Sequence, residues 1–263
     1  MELDIFVVDA FTDQQFRGNS AAVVPVEDWL SDELMQNIAA ENNLSETAYI
    51  KNVGANQYEI RWFSPMTEID FCGHATLASA HVLFNEFGVE NQIDFITQEV
   101  GNLNVILNAE NDIEMTFPNQ KPEVVSKIPI QLLSGLSKEP IEVLKNRQAY
   151  FAVFANEQEV LDVYYISEQL KQLAPLDVVV TAKSDNYDFV SRYFWPANGG
   201  DEDPVTGSIH SGLAPYWAEK LDKADLLAYQ ASKRGGVLKC RVLEKAIVIS
   251  GKGVLYLKGK INV

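Results

Sequence analysis

Two glycines stand where apolar helices are predicted to begin, Gly73 and Gly207, about half the chain apart in a sequence of 263 residues. A glycine at a helix start lets the backbone approach a ligand closely, and the free N–H groups there form an anion site together with the helix dipole. This spacing predicts two related halves that face each other across one carboxylate-sized ligand. The pair of glycines is the strongest chemical signal in the sequence.

Three ionisable side chains are candidates for proton transfer or for substrate binding. Glu46 lies where a predicted helix gives way to a strand, and a partly buried carboxylate there can move protons near neutral pH. His74 directly follows Gly73, and the helix dipole is expected to lower the pKa of its imidazole, so that the neutral ring can hold or relay a proton. Asp203 lies in an acidic loop before Gly207 and can accept a proton or hold an ammonium or hydroxyl group. Each also has a structural alternative. Glu46 and Asp203 have loop or capping roles as their alternatives, and His74 has that of a hydrogen-bonded core histidine.

Cys72 directly precedes Gly73, whereas the matching residue before Gly207 is Thr206. Two facing thiols could remove a proton from one side of a carbon and return one on the other side. A threonine hydroxyl cannot act as that base near pH 7, whereas a thiol with a pKa of about 8.5 can. The asymmetry argues against a two-thiol racemase. The structural alternative for Cys72 is a buried packing residue.

The composition excludes several classes of function. The formal charge of −16 argues against nucleic-acid or anionic-membrane binding, because both require a basic surface. Two cysteines and three histidines predict neither a disulfide framework nor a metal site. The sequence contains no Rossmann, P-loop, zinc-protease or nucleophile-elbow motif, so no cofactor is expected. An acidic N-terminus without a signal-peptide pattern, and the lack of an apolar run of about 18 residues, predict a cytoplasmic protein.

The order of predicted elements supports two halves, residues 1–117 and 118–263, with a crossover near 118–140. The stretch from Gly73 to Phe87 is apolar on nearly every face, which predicts a helix buried on all sides, and Gly88 is a natural stop. Strands precede and follow this helix, and the same order returns around Gly207, where Pro215 is expected to kink or end the helix. We therefore predict an α+β fold of two pseudo-symmetric halves, each a mixed β-barrel wrapped around a central helix. The last strand is a candidate for return to the first half.

Several motifs spread along the sequence, including those around Glu46, Gly73 and Gly207, resemble the PhzF-like family of phenazine biosynthesis proteins, within the diaminopimelate-epimerase fold superfamily. The resemblance extends over nearly the whole chain in the family's order and departs from the usual pattern at Ser20, where the family has proline; we expect Ser20 to loosen that loop. The matching stretches are residues 9–12 with 18–19, 43–48, 61–65 running into 72–78, 191–194, 200–208 and 230–236.

The resemblance implies specific site residues. The family's catalytic glutamate, histidine and aspartate fall on Glu46, His74 and Asp203, and its helix-start serine falls on Ser208. It also implies a site in the cleft between two barrels, cofactor-free chemistry and a homodimer. The expected substrate-binding residues are Asn19, Ser45, Gly73, Gly207 and Ser208.

The leading hypothesis is a cofactor-independent isomerase that moves a proton and a double bond on a small, amino-acid-like carboxylate, with Glu46 as the acid and base. A single base suits a shift along one face of the substrate. One alternative is an amino-acid epimerase, racemase or dehydratase that uses Cys72. Another is a ligand-binding protein without catalytic activity. The substrate itself does not follow from the fold.

Overall fold

A computed structural model describes residues 1–263 and shows an α+β protein in which strands predominate. Contacts divide the chain into two compact units. The first contains Met1–Thr116 and Ser250–Val263, and the second contains Phe117–Ile249. The first unit therefore includes both ends of the chain. The division into domains at residues 117 and 118 stays a prediction.

The secondary structure elements follow one another along the chain. None of the helices is both long and apolar enough to cross a membrane. The elements are β1 (Glu2–Ala10), β2 (Asn19–Val26), α1 (Asp32–Asn42), β3 (Glu46–Asn52), β4 (Gln57–Phe63), β5 (Glu68–Ile69), α2 (Gly73–Glu86), β6 (Gln92–Ile96), β7 (Asn102–Leu107), β8 (Ile113–Pro118), β9 (Glu123–Val124), α3 (Ile130–Gly135), β10 (Glu142–Lys145), β11 (Ala149–Val153), α4 (Glu157–Asp162), α5 (Ser167–Leu170), β12 (Asp177–Lys183), β13 (Phe189–Phe194), β14 (Glu202–Asp203), α6 (His210–Leu221), β15 (Asp225–Gln230), β16 (Gly236–Val242), β17 (Ala246–Gly251) and β18 (Gly253–Asn262).

The first unit surrounds α2 with strands. β1 pairs antiparallel with both β18 and β2, β2 pairs parallel with β3, β3 antiparallel with β4, β4 parallel with β6, and β6 antiparallel with β7. The helix packs against β1, β2, β3 and β18. Small and apolar side chains on every face leave most of α2 buried, as its sequence predicts.

The second unit repeats this order. β10 pairs antiparallel with β11, β11 parallel with β12, β12 antiparallel with β13, β13 parallel with β15, and β15 antiparallel with β16. The helix α6 lies between β14 and β15 in sequence, just as α2 lies between β5 and β6. The predicted α+β class and the architectural repeat are confirmed.

The second central helix begins slightly later than its glycine. Hydrogen bonds between residues three apart, from His210 N–H to Gly207 O and from Ser211 N–H to Ser208 O, form a tight turn before α6. Pro215 does not end the helix, which runs to Leu221. A proline leaves the carbonyl four residues earlier without its helical donor. Here the Gln120 N–H donates to that carbonyl, Ser211 O, at 3.1 Å.

The helix α1 delivers the chain to the start of β3. Ser31 caps it by accepting a hydrogen bond from Leu34 N–H at 3.2 Å, and Met35 and Ile38 face the core. Asn43 ends it with a left-handed φ of 48°. β3 then begins at Glu46, alongside β2 in a parallel register. The position of Glu46 is therefore fixed by a helix end and by a strand pairing.

Candidate active site

Glu46 and His74 meet in the first unit. Glu46 is the first residue of β3 and His74 is the second residue of α2. Glu46 Oε2 lies 2.8 Å from His74 Nε2, and the side chains are 12% and 6% exposed, respectively. Glu46 Oε2 is buried without any other partner. The pair therefore has the closeness and the burial that proton transfer requires.

Two polar residues orient the imidazole from its other side. Asn19, the first residue of β2, is fully buried, and its Nδ2 lies 3.2 Å from His74 Nδ1. The Ser45 hydroxyl donates to Asn19 Oδ1 at 2.9 Å. This chain directs Nδ1 of His74 toward Asn19 and Nε2 toward Glu46. Four of the residues expected from the sequence are thus brought together.

Cys72 is the fifth member of this group. Its Sγ lies 3.4 Å from His74 Nδ1, and it is the residue that precedes α2. Burial and the neighbouring Glu46 carboxylate raise the pKa of the Cys72 thiol to about 11. A thiol with this pKa is almost wholly protonated at neutral pH and is therefore a poor base there.

The predicted shift of the His74 pKa is wrong: a decrease was expected, and the pKa is raised. Burial lowers the pKa of His74, but Cys72 and Glu46 outweigh burial and raise it above its ordinary value. The dipole of α2, like burial, lowers the pKa of His74. Cys72 Sγ at 3.4 Å and the Glu46 carboxylate at 2.8 Å decide the outcome together, because negative charge this close to the ring favours the imidazolium.

The start of α2 leaves its first turn free for a ligand. Gly73 is buried, and no side chain caps the helix by a hydrogen bond. The N–H groups of a first turn have no partner within the helix. An anionic group held there would lie on the same turn as His74.

Asp203 belongs to a separate polar group in the second unit. The Thr206 hydroxyl donates to Asp203 Oδ2. Gln230 is fully buried and accepts from Thr206 N–H at 2.9 Å while its Nε2 donates to Asp203 O at 2.9 Å. Gln230 therefore fixes the loop that leads to Gly207. It lies in a stretch that matches the family, but its role became visible only in the structure.

Ser208 is held by a partly buried network that the sequence did not reveal. Gln148 Nε2 donates to Ser208 Oγ at 3.0 Å and to Tyr193 Oη at 3.1 Å. Tyr193 donates to Asp177 Oδ2 at 2.6 Å. Because Ser208 Oγ accepts from Gln148, its own O–H is left to donate elsewhere. Gln148, Tyr193 and Asp177 come from three strands or their flanks, so no local motif marks them.

Ser20 tightens its loop, contrary to the expectation from the missing proline. The Ser20 hydroxyl donates to Asp9 Oδ1, and Phe16 N–H donates to Asp9 Oδ2 at 2.8 Å. Ser20 also pairs with Asp9 in the ladder between β1 and β2. A buried carboxylate thus joins both ends of the loop, and this requires a hydroxyl that proline lacks.

The sequence matches the profile of the family described as phenazine biosynthesis-like protein over residues 8–259. The chain belongs to this family. An uncharacterized isomerase from Pseudomonas aeruginosa is 45% identical over 263 residues, which cover 100% of each chain. The predicted resemblance to the phenazine biosynthesis-like family is confirmed, and the predicted enzyme class, isomerase, is the one in this relative's name.

Solved structures agree with the family assignment. The crystal structure of a PhzF-family phenazine biosynthesis protein from Enterococcus faecalis has a TM-score of 0.95 and 42% identity, and the match covers 100% of each chain. A hydroxyproline epimerase from Agrobacterium vitis, at 10% identity, has a TM-score of 0.63 over 99% of this chain and 92% of that chain. This second likeness shows a shared epimerase-type fold and no more.

Proposed function

We propose that the protein is a cofactor-independent isomerase that shifts a proton and a double bond on a small carboxylate-bearing metabolite. The observation that supports this most directly is the Glu46 carboxylate, buried at 2.8 Å from His74 and without another partner for Oε2. A carboxylate in this setting can take a proton from an activated carbon. The name of the Pseudomonas aeruginosa relative supports the same reaction class.

In the proposed reaction, Glu46 removes a proton from one carbon, the double bond shifts, and Glu46 returns the proton to another carbon on the same face. His74 neutralises the charge on Glu46 or on the substrate as the double bond moves. The amides of the first turn of α2 hold the substrate carboxylate. Asn19 and Ser45 keep the imidazole in place. Asp203, Gly207 and Ser208 are proposed to bind and orient the substrate as well.

The experiment begins with a thermal-shift screen of cyclic and hydroxylated amino acids. A ligand at about 100 times its dissociation constant adds roughly 2.7 kcal/mol to the stability of the folded state. Stabilising compounds are then incubated with the enzyme in deuterated water and followed by NMR. A single base returns the original proton in some turnovers and a solvent deuterium in the others. The product therefore gains less than one solvent deuterium per turnover on average.

Replacement of Glu46 by Gln removes the basic carboxylate and keeps the shape of the side chain. We expect turnover to fall by at least about a hundredfold, because a placed base contributes about 10²–10⁴-fold. The melting temperature should change little. Glu41→Gln, on the exposed face of α1, is the matched control and should leave turnover intact. Full activity of Glu46→Gln would refute the proposed role.

The epimerase alternative uses Cys72 as a base and has one observation in its favour, the shared fold with the hydroxyproline epimerase. The thiol pKa of about 11 argues against it. Cys72→Ala should therefore lower turnover far less than Glu46→Gln does. The opposite ranking, with exchange of the α-proton and inversion, would move the protein into the epimerase class. Ligand binding without turnover, unchanged in Glu46→Ala, would indicate a binding protein.

A further inference from the structure

Three chemically different metal-binding donors meet in the first unit. Cys72 Sγ, a ring nitrogen of His74 and a carboxylate oxygen of Glu46 all lie within 4.8 Å of one another. We propose that this triad is an inhibitory site for a thiophilic divalent cation of the Zn²⁺ class. The small numbers of histidines and cysteines predicted no metal site. The fold instead places one residue of each donor type at a single point.

Two of the distances within the triad bracket those between neighbouring ligands of a tetrahedral metal ion. Cys72 Sγ lies 3.9 Å from His74 Nε2, and Glu46 Oε2 lies 2.8 Å from the same nitrogen. Zn²⁺ with bonds of about 2.0–2.3 Å keeps neighbouring ligand atoms about 3.3–3.7 Å apart. The two observed distances lie on either side of this range. A movement of the imidazole by about half an ångström, away from the carboxylate and toward the thiol, would bring both close to it.

The surroundings of Glu46 Oε2 also favour a cationic ligand. Glu46 Oε2 is buried and makes no hydrogen bond, so its lone pairs are directed at nothing but the neighbouring imidazole. A cation bound there would satisfy this oxygen. A sulfur, nitrogen and oxygen donor set favours Zn²⁺ over Mg²⁺ or Ca²⁺, which prefer oxygen ligands alone.

Asn19 completes the site from behind the imidazole. Histidines that bind a metal through one nitrogen hold the other nitrogen by a hydrogen bond, and Asn19 lies 3.2 Å from Nδ1. With its amide turned, Asn19 accepts from Nδ1–H, and its Nδ2 donates to the Ser45 hydroxyl. Three protein ligands leave a fourth position for water.

Binding at the triad would stop proton transfer. As the metal binds, the Cys72 thiol and the metal-bound nitrogen of His74 both lose their protons to solvent, and the metal occupies the lone pairs of Glu46 and His74 that carry the reaction. The inhibition rests on the proposed function of Glu46, whereas the binding does not. The two can therefore be tested separately.

The test uses Co²⁺ alone as a spectroscopic probe of the full-length protein. We expect one Co²⁺ per chain and a near-ultraviolet sulfur-to-cobalt charge-transfer band, which Zn²⁺ displaces. Cys72→Ser should abolish this band. Cys240→Ser, which removes the other buried cysteine, is the matched control and should retain it. Glu46→Gln should keep the band but weaken binding by at least about tenfold, as loss of a metal-site group does.

The outcomes separate the two proposals. If wild-type protein shows no band, or if Cys72→Ser retains it, the triad is not a metal site. Should Cys72→Ser fail to fold, unchanged Co²⁺ affinity in Glu46→Gln would overturn the site equally well. If Co²⁺ binds as expected and Zn²⁺ leaves turnover unchanged, the site exists but is not inhibitory. Inhibition that EDTA reverses supports the proposal. The Co²⁺ spectrum tests metal binding without any substrate, so this test holds even if the proposed substrate class is wrong.

Discussion

The imidazole of His74 has three neighbours for its two nitrogens: Asn19 and Cys72 near Nδ1, and Glu46 near Nε2. Cys72 and Glu46 raise the pKa of the ring against the effect of its burial. A charge at hydrogen-bonding distance shifts a pKa more than a helix terminus does. We therefore propose that Glu46 and His74 act as a pair in proton transfer.

His210 is a histidine of the opposite kind. It is fully buried, Nδ1 contacts Thr206 O at 2.8 Å, and Nε2 has no partner. Burial lowers the pKa of His210 to about 4. Its neutral ring lies beside Phe189, with centroids 5.9 Å apart. Protonating it would place an unpaired charge in the core of the second unit.

This environment predicts a loss of stability in mild acid. As the pH falls from about 6.5 to about 4, the unfolded chain takes up a proton on His210 while the folded chain does not, so the free energy of unfolding decreases, by about 3 kcal/mol from this residue. His210→Asn keeps a donor for Thr206 O and removes the titration. Urea unfolding at several pH values should show a shallower acid loss in the variant. Equal slopes in both proteins would contradict the prediction.

At the scale of elements, the two central helices are placed by small residues. Gly212 in α6 lies against β11: a Cβ built there would be 2.6 Å from Phe151 Cζ and 2.9 Å from Asn146 Nδ2. The aromatic ring packs directly on the helix backbone. A larger residue must therefore displace either the helix or the ring.

Gly212→Ala tests this close approach. Overpacking costs about 1–3 kcal/mol, and the gain in helix propensity over glycine offsets at most about 1 kcal/mol. We expect a net decrease of about 1–2 kcal/mol in the free energy of unfolding, measured as a lower urea midpoint at unchanged slope.

Gly259→Ala is the matched control. Gly259 lies in β18, and a Cβ there would contact only Leu257 Cδ2, at 3.7 Å. Its stability should stay within about 0.5 kcal/mol of the wild type. Equal losses in the two variants would show that glycine content, and not the contact with Phe151, sets the cost.

At the scale of the whole molecule, the first unit is completed by the end of the chain. β18 pairs with β1 from Glu2↔Asn262 to Ala10↔Gly253 and packs against α2. These contacts join residues about 250 positions apart in sequence, so they form late and at a high entropic cost. The first unit is therefore expected to be the more sensitive to loss of the C-terminus.

Deletion of residues 253–263 should expose the edge of β1 and remove one side of the packing around α2. We expect the first unit to lose its protection from proteolysis, with cleavage sites in β1 and α2 identified by mass spectrometry. Deleting Val263 alone, which removes its two hydrogen bonds with Met1, is the control. Unchanged protection in the longer deletion would show that β18 is dispensable.

The sequence by itself determined the features that depend on local pattern. The apolar run after Gly73 and the stop at Gly88 predicted α2 correctly, because helix periodicity and end chemistry are local. The repeated order of elements predicted the two-part architecture. The family resemblance supplied Glu46, His74, Asp203 and Ser208 as site residues, whose roles stay predictions.

The tertiary structure decided everything that depends on residues distant in the chain. The sequence could not show that Glu46 lies 2.8 Å from His74 and so reverses the expected shift of its pKa. It could not show that Gln120 satisfies the carbonyl freed by Pro215. Nor could it show that the Ser20 hydroxyl binds Asp9. The physical reason is common to all three: hydrogen bonds and charge–charge interactions act over a few ångströms in space, and only the folded chain determines which residues come that close.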